Sequence, residues 1–467
     1  MTSLLLTQRK NIVIGLLLSF LGILISKYIF VGIVVLLFLF LSLHFGEKFL
    51  LVFVISTFLL LTSTISPVLR AIVQVSNVLI LAILFLRKYR LEFNLYPRIG
   101  FNLSLFFVGL FTAFFMSTVL SKYYMIGIPQ IFRTIFFFII IYLIFGLIDS
   151  KQNVKAILSA LFFSAIVYFI FLAYELYVQN FDILKINLSD AGSVGNTYLH
   201  KNVLGSFFLI IISLLFGFLF DLNKRKIKWG MIFFIIVFSL GLFITNSRAA
   251  ILSLFFSICL ILFYLNKKML WKTILSTSIL IIIFIFSPLY ESLNLYFRLE
   301  RVASGRDFIF SGVWEVIKNN YLFGVGPAAT KFELYRNIPF MLGSPEEAFI
   351  LHHYNQIEFG HAHNFYLFFL SDLGLLGLII SIALPFIFLK ISLSTIKKMK
   401  EYDRDYYYLS IGIAGSGFAM FLRGIFEWGG LISYGTINYD LSFWLIFAII
   451  VFINSSYKIK THEPHHL

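Results

Sequence analysis

The sequence predicts an all-α integral membrane protein with 12–14 transmembrane helices and one large loop outside the membrane. Three observations carry this reading. Of 467 residues, 60% are hydrophobic and 13% charged, against roughly 25% charged in soluble domains, and the mean hydropathy is +0.94. Apolar segments of about 20 residues, the length that crosses a hydrocarbon core about 30 Å thick, recur from the first line of sequence to the last. The net charge of +15 sits in short loops beside those segments. That is the positive-inside pattern, not the footprint of a nucleic-acid surface, so no nucleic acid is expected as a partner.

Spans are read near residues 11–26, 30–45, 49–67, 71–86, 101–119, 130–148, 155–177, 203–220, 229–245, 249–266, 271–288, 364–390, 406–422 and 441–456. The first two are short, and the lower count applies if they merge or lie partly in the interface. The start, TSLLLTQRKNIVIGLLLSFLGILI, has no small-residue cleavage site ahead of a polar region and reads as a retained span. Five basic clusters fall on one face of this threading: Arg87, Lys88 and Arg90; Lys224, Arg225, Lys226 and Lys228; Lys267, Lys268 and Lys272; Lys397, Lys398 and Lys400; Lys458 and Lys460. By the positive-inside rule that face is cytoplasmic, which puts both termini inside and the loops around Asn196, Ser247, 289–362 and 423–440 outside. The expected division is an N-terminal bundle over 1–288, an extracytoplasmic loop over 289–362, C-terminal helices over 363–457 and a cytoplasmic tail over 458–467.

The loop 289–362 is long against the other connections. Within it, ASGRDFIFSGVWEVIKNN interleaves Phe308, Phe310, Val313, Trp314 and Ile317 with Asp307, Glu315 and Lys318. This is the pattern of an amphipathic helix that lies on the bilayer or caps the bundle. FGVGPA, with Gly324, Gly326 and Pro327, then breaks it. Cys259 stands alone in an apolar helix, which excludes an internal disulfide and fits a small packing residue.

Polar residues collect at the outer helix ends. Arg248 in ITNSRAAIL stands at a helix–helix turn beside Asn246 and Ser247, Arg301 and Arg306 open the large loop, and Arg423 in FLRGIFEWGG lies on the same side. One such arginine is an ordinary snorkelling anchor. Several, on the face that basic residues avoid, point to a bound anion. The rigid guanidinium fork fits phosphate oxygens in pairs, so a diphosphate is the natural guest. GSVGNTYLHKNVLG adds Asn196, His200, Lys201 and Asn202, either as turn and capping groups or as further donors to a polyol or phosphate.

In GHAHNFYLFFLSDLGLLGLI, His363 stands at the mouth of a span. Imidazoles exchange protons near neutral pH, their ordinary pKa being about 6.5. Beside arginines that hold a diphosphate leaving group, His363 is placed to activate a sugar hydroxyl, with Asn364 orienting the ring or the substrate. His352, His353 and His361 raise a metal site, but histidines alone in this spacing are a weak match to a zinc ligand set, and no metal or other cofactor is expected. The histidines of THEPHHL lie in a terminal tail and carry no assignment.

Together, TNSRAA, SGRDFIFSGVWEVIKNNYLFGVG and HAHNFYLFFLSDLGLLGLI resemble the O-antigen ligase and polymerase family over roughly residues 246–379. The resemblance implies a GT-C-like scaffold and an inverting, metal-independent transfer of a glycan from polyprenyl (undecaprenyl) diphosphate to an acceptor glycan, outside the bacterial cytoplasmic membrane. It implies Arg248 and Arg306 as holders of the diphosphate and His363 as the group assisting the acceptor hydroxyl, with Arg423 and His361 matched more loosely. Polymerisation of polysaccharide repeat units is the expected activity, ligation to lipid A core or to protein the alternative, and a chain-length regulator or flippase a further partner. A transporter of lipid-linked sugars would carry ionisable or helix-breaking residues near mid-membrane, where these spans read as apolar. A nucleotide-sugar synthase, suggested by Asp403 and Asp405 in EYDRDYY, lacks a catalytic domain around that loop.

Overall fold

The computed structural model describes residues 46–61, 67–89, 96–181, 201–220, 225–287, 290, 294, 306–337 and 362–462. Among the described residues ten helices are long and apolar enough to cross a membrane, and no strand occurs. The chain is thus an all-α membrane protein, as composition and span length predict.

In chain order the helices are α1 (Glu47–Leu60), α2 (Pro67–Tyr89), α3 (Tyr96–Leu120), α4 (Tyr124–Leu147), α5 (Lys151–Val178), α6 (Lys201–Leu219) and α7 (Arg225–Ile244). There follow α8 (Arg248–Leu265), α9 (Lys267–Ile285), α10 (Arg306–Asn320), α11 (Thr330–Asn337), α12 (Phe365–Tyr402), α13 (Arg404–Arg423) and α14 (Ile437–His462). The expected spans 11–26 and 30–45 lie outside the described residues.

Charged contacts sort the helix ends. Lys88 pairs with Glu47 and Asp149, Lys151 reaches Asp403 at 3.4 Å and Asp405 at 2.6 Å, and Lys398 donates to Asn454 at 3.0 Å. These contacts gather the starts of α1, α5 and α13 with the ends of α2, α4, α12 and α14. Arg87 and Lys88 therefore share one end of the bundle with the basic cluster at 397–400, as the alternating threading requires. At the other end Tyr123 donates to Glu333 at 2.6 Å, and Asn202 donates to Glu427 at 2.8 Å.

Lipid tails are as apolar as leucine, so close packing rather than escape from water holds the helices together. The run IGIAGSG in α13 supplies small residues for this, and α13 lies against α6, α8 and α12. Where α8 meets α6, the Ser257 hydroxyl donates to that of Ser213 at 2.7 Å. Helix α14 is the most enclosed of the ten; its Trp444 lies among Phe106, Phe107, Phe138, Phe443 and Phe447 and donates to the Leu431 carbonyl at 2.7 Å. Helix α9 has no buried residue.

Three features differ from the sequence expectation. The span read over 364–390 runs on to Tyr402 and is broken at Gly374 (φ 69°, ψ −158°). The amphipathic helix forms as α10, but it buries Ile309, Val313, Val316 and Ile317, while Trp314 is 52% exposed. Its packing on α11 and α12 makes it a cap on the bundle. Finally, the spans are not apolar throughout: Asp372 in α12 and Asp440 in α14 are both fully buried. Each carboxylate is satisfied by donors from the adjoining loops, a partnership that hydropathy along one helix does not reveal.

Candidate active site

The break in α12 fastens the large loop to the bundle. A glycine is required at 374 because its φ is left-handed and a Cβ there would collide with the Leu322 carbonyl. Interrupting the helix frees backbone groups, and the loop takes them up. Val325 N–H donates to the Ser371 carbonyl and Gly326 N–H to that of Asp372, both at 3.0 Å, while Leu375 N–H donates to Tyr321 at 2.8 Å. The Asp372 carboxylate accepts from Ala328 N–H at 2.8 Å, from Thr330 N–H at 3.1 Å, from the Thr330 hydroxyl and from the Tyr434 hydroxyl at 2.8 Å. A buried charge without such partners would cost several kcal/mol. Burial, and after it the Asp372 charge, push the Tyr434 phenol well above its ordinary value, so it remains a donor. FGVGPAAT is therefore tied at once to α12 and to the loop that precedes α14.

A second junction carries the titratable groups. Asn364 caps α12: its side-chain oxygen accepts from Tyr366 and Leu367 N–H, both at 2.9 Å, and its amide donates to the Ile425 carbonyl at 2.8 Å. Phe365 N–H donates to Gly424 at 2.7 Å, so the start of α12 is stitched to the turn that follows α13. Just before this cap, His363 adopts φ 45°. That left-handed conformation is uncommon for a residue other than glycine, and such local strain clusters at functional sites. Its Nδ1 is buried, without a hydrogen-bond partner, and lies 3.9 Å from Glu427 Oε2.

Glu427 is 4% exposed, in the turn after α13, and its other oxygen accepts from the Asn202 amide at 2.8 Å. Arg423, 1% exposed, donates through Nη1 to the Gly429 carbonyl at 2.6 Å and through Nη2 to the Asn202 carbonyl at 2.8 Å. Both residues therefore close on the first turn of α6. The α7–α8 turn joins the same place from another side. Asn246, at φ 50°, ends the turn after α7, and Ser247 seats itself against Gly205, where an added Cβ would lie 2.6 Å from the serine Cβ. Arg248 opens α8 directly after that contact, half-buried.

The structure thus gathers His363, Asn364 and Arg423 about one buried carboxylate, and links the Arg248 turn to it through α6. Asn364 spends its side chain on the helix start and on Ile425, so its observed work is to cap α12 and hold that cap to the turn after α13. The Arg423 fork is likewise engaged by two carbonyls. Arg306 begins α10, which packs on α12, but its side chain lies outside what is described. Asn196, His200, Arg301 and His361 lie outside the described residues, as do His352 and His353. Among the described residues no group of three or more His, Cys, Asp and Glu is placed to hold a metal ion. Sequence reading passed over Glu427. Its signal was present, since a lone carboxylate four residues after Arg423 in an apolar stretch marks a functional position in a membrane chain.

Residues 232–382 match the family model described as O-antigen ligase. The matched stretch contains Arg248, Arg306, His363 and Asn364 and ends ahead of Arg423 and Glu427. No curated protein matches the chain.

Proposed function

Taking residues 232–382 as O-antigen ligase family sequence, we propose that this chain is a glycosyltransferase that moves a glycan from polyprenyl diphosphate to a sugar hydroxyl, at the face of the bacterial cytoplasmic membrane opposite its basic loops. The acceptor oxygen attacks the anomeric carbon from the side away from the leaving group. The bond to the phosphate oxygen breaks, configuration inverts, and the electron pair leaves with polyprenyl diphosphate. His363 takes the acceptor proton. Glu427 holds the imidazole and stabilises the positive charge that develops on it, while Asn364 locks its backbone. Arg248 and Arg306 grip the diphosphate, where negative charge grows as the bond breaks, so their interaction strengthens toward the transition state.

The observation that carries this reading is the imidazole of His363, Nδ1 unbonded, 3.9 Å from a buried carboxylate. The resemblance supplies the donor and the metal-independent, inverting course. We carry repeat-unit polymerisation as the activity; the description of the matched family supports a second reading, ligation to lipid A core. Purified protein supplied with lipid-linked repeat units, with and without lipid A core, tests both. Ladders of repeat units without core mark a polymerase, and transfer only to core marks a ligase. His363→Ala should abolish either product, and full activity in that variant would overturn the assignment.

A further inference from the structure

The turn between α10 and FGVGPAAT, Tyr321 to Phe323, lies against the break in α12. Leu375 N–H donates to the Tyr321 carbonyl at 2.8 Å and to that of Leu322 at 3.2 Å, and a Cβ on Gly374 would strike the Leu322 carbonyl. These contacts fix the depth of the turn in the bundle. From Leu375 to the basic cluster that starts at Lys397, α12 extends about 33 Å at a rise of about 1.5 Å per residue, close to the ~30 Å of a hydrocarbon core. A second helix gives the same level. The Ser121 hydroxyl, at the close of α3, donates to the Val325 carbonyl, and α4, starting at Tyr124, runs about 36 Å before its Leu147 carbonyl meets Lys88 at 3.4 Å. The turn therefore stands one core thickness from the basic helix ends, at the far edge of the apolar slab.

At that level Tyr321 and Leu322 are 58% and 47% exposed, and Phe323 is exposed beside them. The apolar surface continues onto Leu375, Leu376 and Ile379, exposed side chains that a spanning helix turns toward lipid. Irregular backbone enters such a layer only where its polar groups are paired inside the protein, and the turn supplies that pairing. Besides the carbonyls of Tyr321 and Leu322, Gly324 N–H donates to the Asn320 carbonyl at 2.9 Å and Val325 N–H to that of Ser371 at 3.0 Å. An amphipathic ring such as that of Tyr321 favours the border between hydrocarbon and headgroups. We propose that residues 321–323 form an interfacial anchor immersed in the leaflet away from the basic helix ends, with lipid acyl chains as its partner. The anchor pins the large loop to the bilayer at the Gly374 break, and it stands independently of the transfer reaction proposed above.

Spin labels read the partner directly. The full chain carrying Cys259→Ser is labelled at Leu322→Cys and reconstituted in phosphatidylcholine liposomes, and its collisions with oxygen, which concentrates in hydrocarbon, are compared with those of a water-soluble nickel chelate. Labels at Ile379→Cys and at Lys268→Cys, the latter exposed at the basic end of α9, set the lipid and water references. The oxygen-to-nickel ratio at 322 should approach that at 379 and exceed that at 268 several-fold. A ratio at the Lys268 level places the turn in water, and low collision rates with both reagents place it against protein, whether a second copy or another segment of this chain. Either result overturns the proposal. If Leu322→Cys does not fold, Phe323→Cys in the same background decides by the same ratio.

Discussion

Glu427→Gln probes the proposed chemistry with little disturbance of shape. Glutamine retains the volume and an oxygen for the Asn202 amide, and removes only the charge 3.9 Å from His363 Nδ1. When His363 takes the acceptor proton it becomes an imidazolium facing that carboxylate. At such a distance, and at an effective dielectric of about 20, the attraction is ~4 kcal/mol. The His363 side chain is 23% exposed, so water screens part of it, and half, ~2 kcal/mol, is the working figure. At about 1.4 kcal/mol per factor of ten, kcat should fall ~30-fold, with a thousandfold as the ceiling. The glutamate touches no substrate in the proposed scheme, so KM for the lipid-linked donor should stay within about twofold. Initial rates in proteoliposomes, with product resolved on gels, measure both constants. A folded variant with wild-type kcat, or a loss confined to KM, would refute the role given to Glu427.

Asn364→Ala removes a helix cap and should cost about 1 kcal/mol, read as an earlier thermal unfolding transition together with a lower rate, because His363 loses the anchor beside it; unchanged melting would count against the cap. Arg423→Gln strands the Gly429 and Asn202 carbonyls at about 1–3 kcal/mol each, so it should lower thermal stability well beyond Arg248→Gln. The Arg248 variant should melt near wild type and lose about a hundredfold in rate; the reverse ranking would exchange the two roles. Gly374→Ala combines roughly 1–2 kcal/mol of left-handed strain with a collision against the Leu322 carbonyl, and should abolish accumulation of monodisperse protein on gel filtration. Chelator treatment should leave the transfer rate unchanged, whereas a loss that zinc restores would turn the histidine cluster into a metal site and remove the general-base role.

The architecture was legible because each span must satisfy its own backbone hydrogen bonds in lipid, which forces helices of readable length. Alternating basic loops then ordered their ends, and Lys88, Lys151 and Lys398 bear out that order by pairing across the same end. The site was legible in part. His363 and Arg248 stood out as polar groups at helix ends, but nothing local marked Asn364 and Arg423 as groups turned toward backbone carbonyls. The depth of Asp372 and Asp440 was equally hidden, because their donors come from loops outside the helix that carries them: Ala328, Thr330 and Tyr434, distant in the chain, for Asp372, and Gly430 and Ser433, just ahead of α14, for Asp440.

By itself the sequence determined that the chain is a helical membrane protein and which residue types gather at the end away from the basic loops, since hydropathy and charge act residue by residue along the chain. Only the tertiary structure decided which of those residues meet: Glu427 beside His363, Arg423 on the first turn of α6, and Asp372 holding FGVGPAAT to a broken helix. Such pairings depend on close packing between distant segments, in which a single glycine such as Gly205 or Gly374 fixes how near two backbones come.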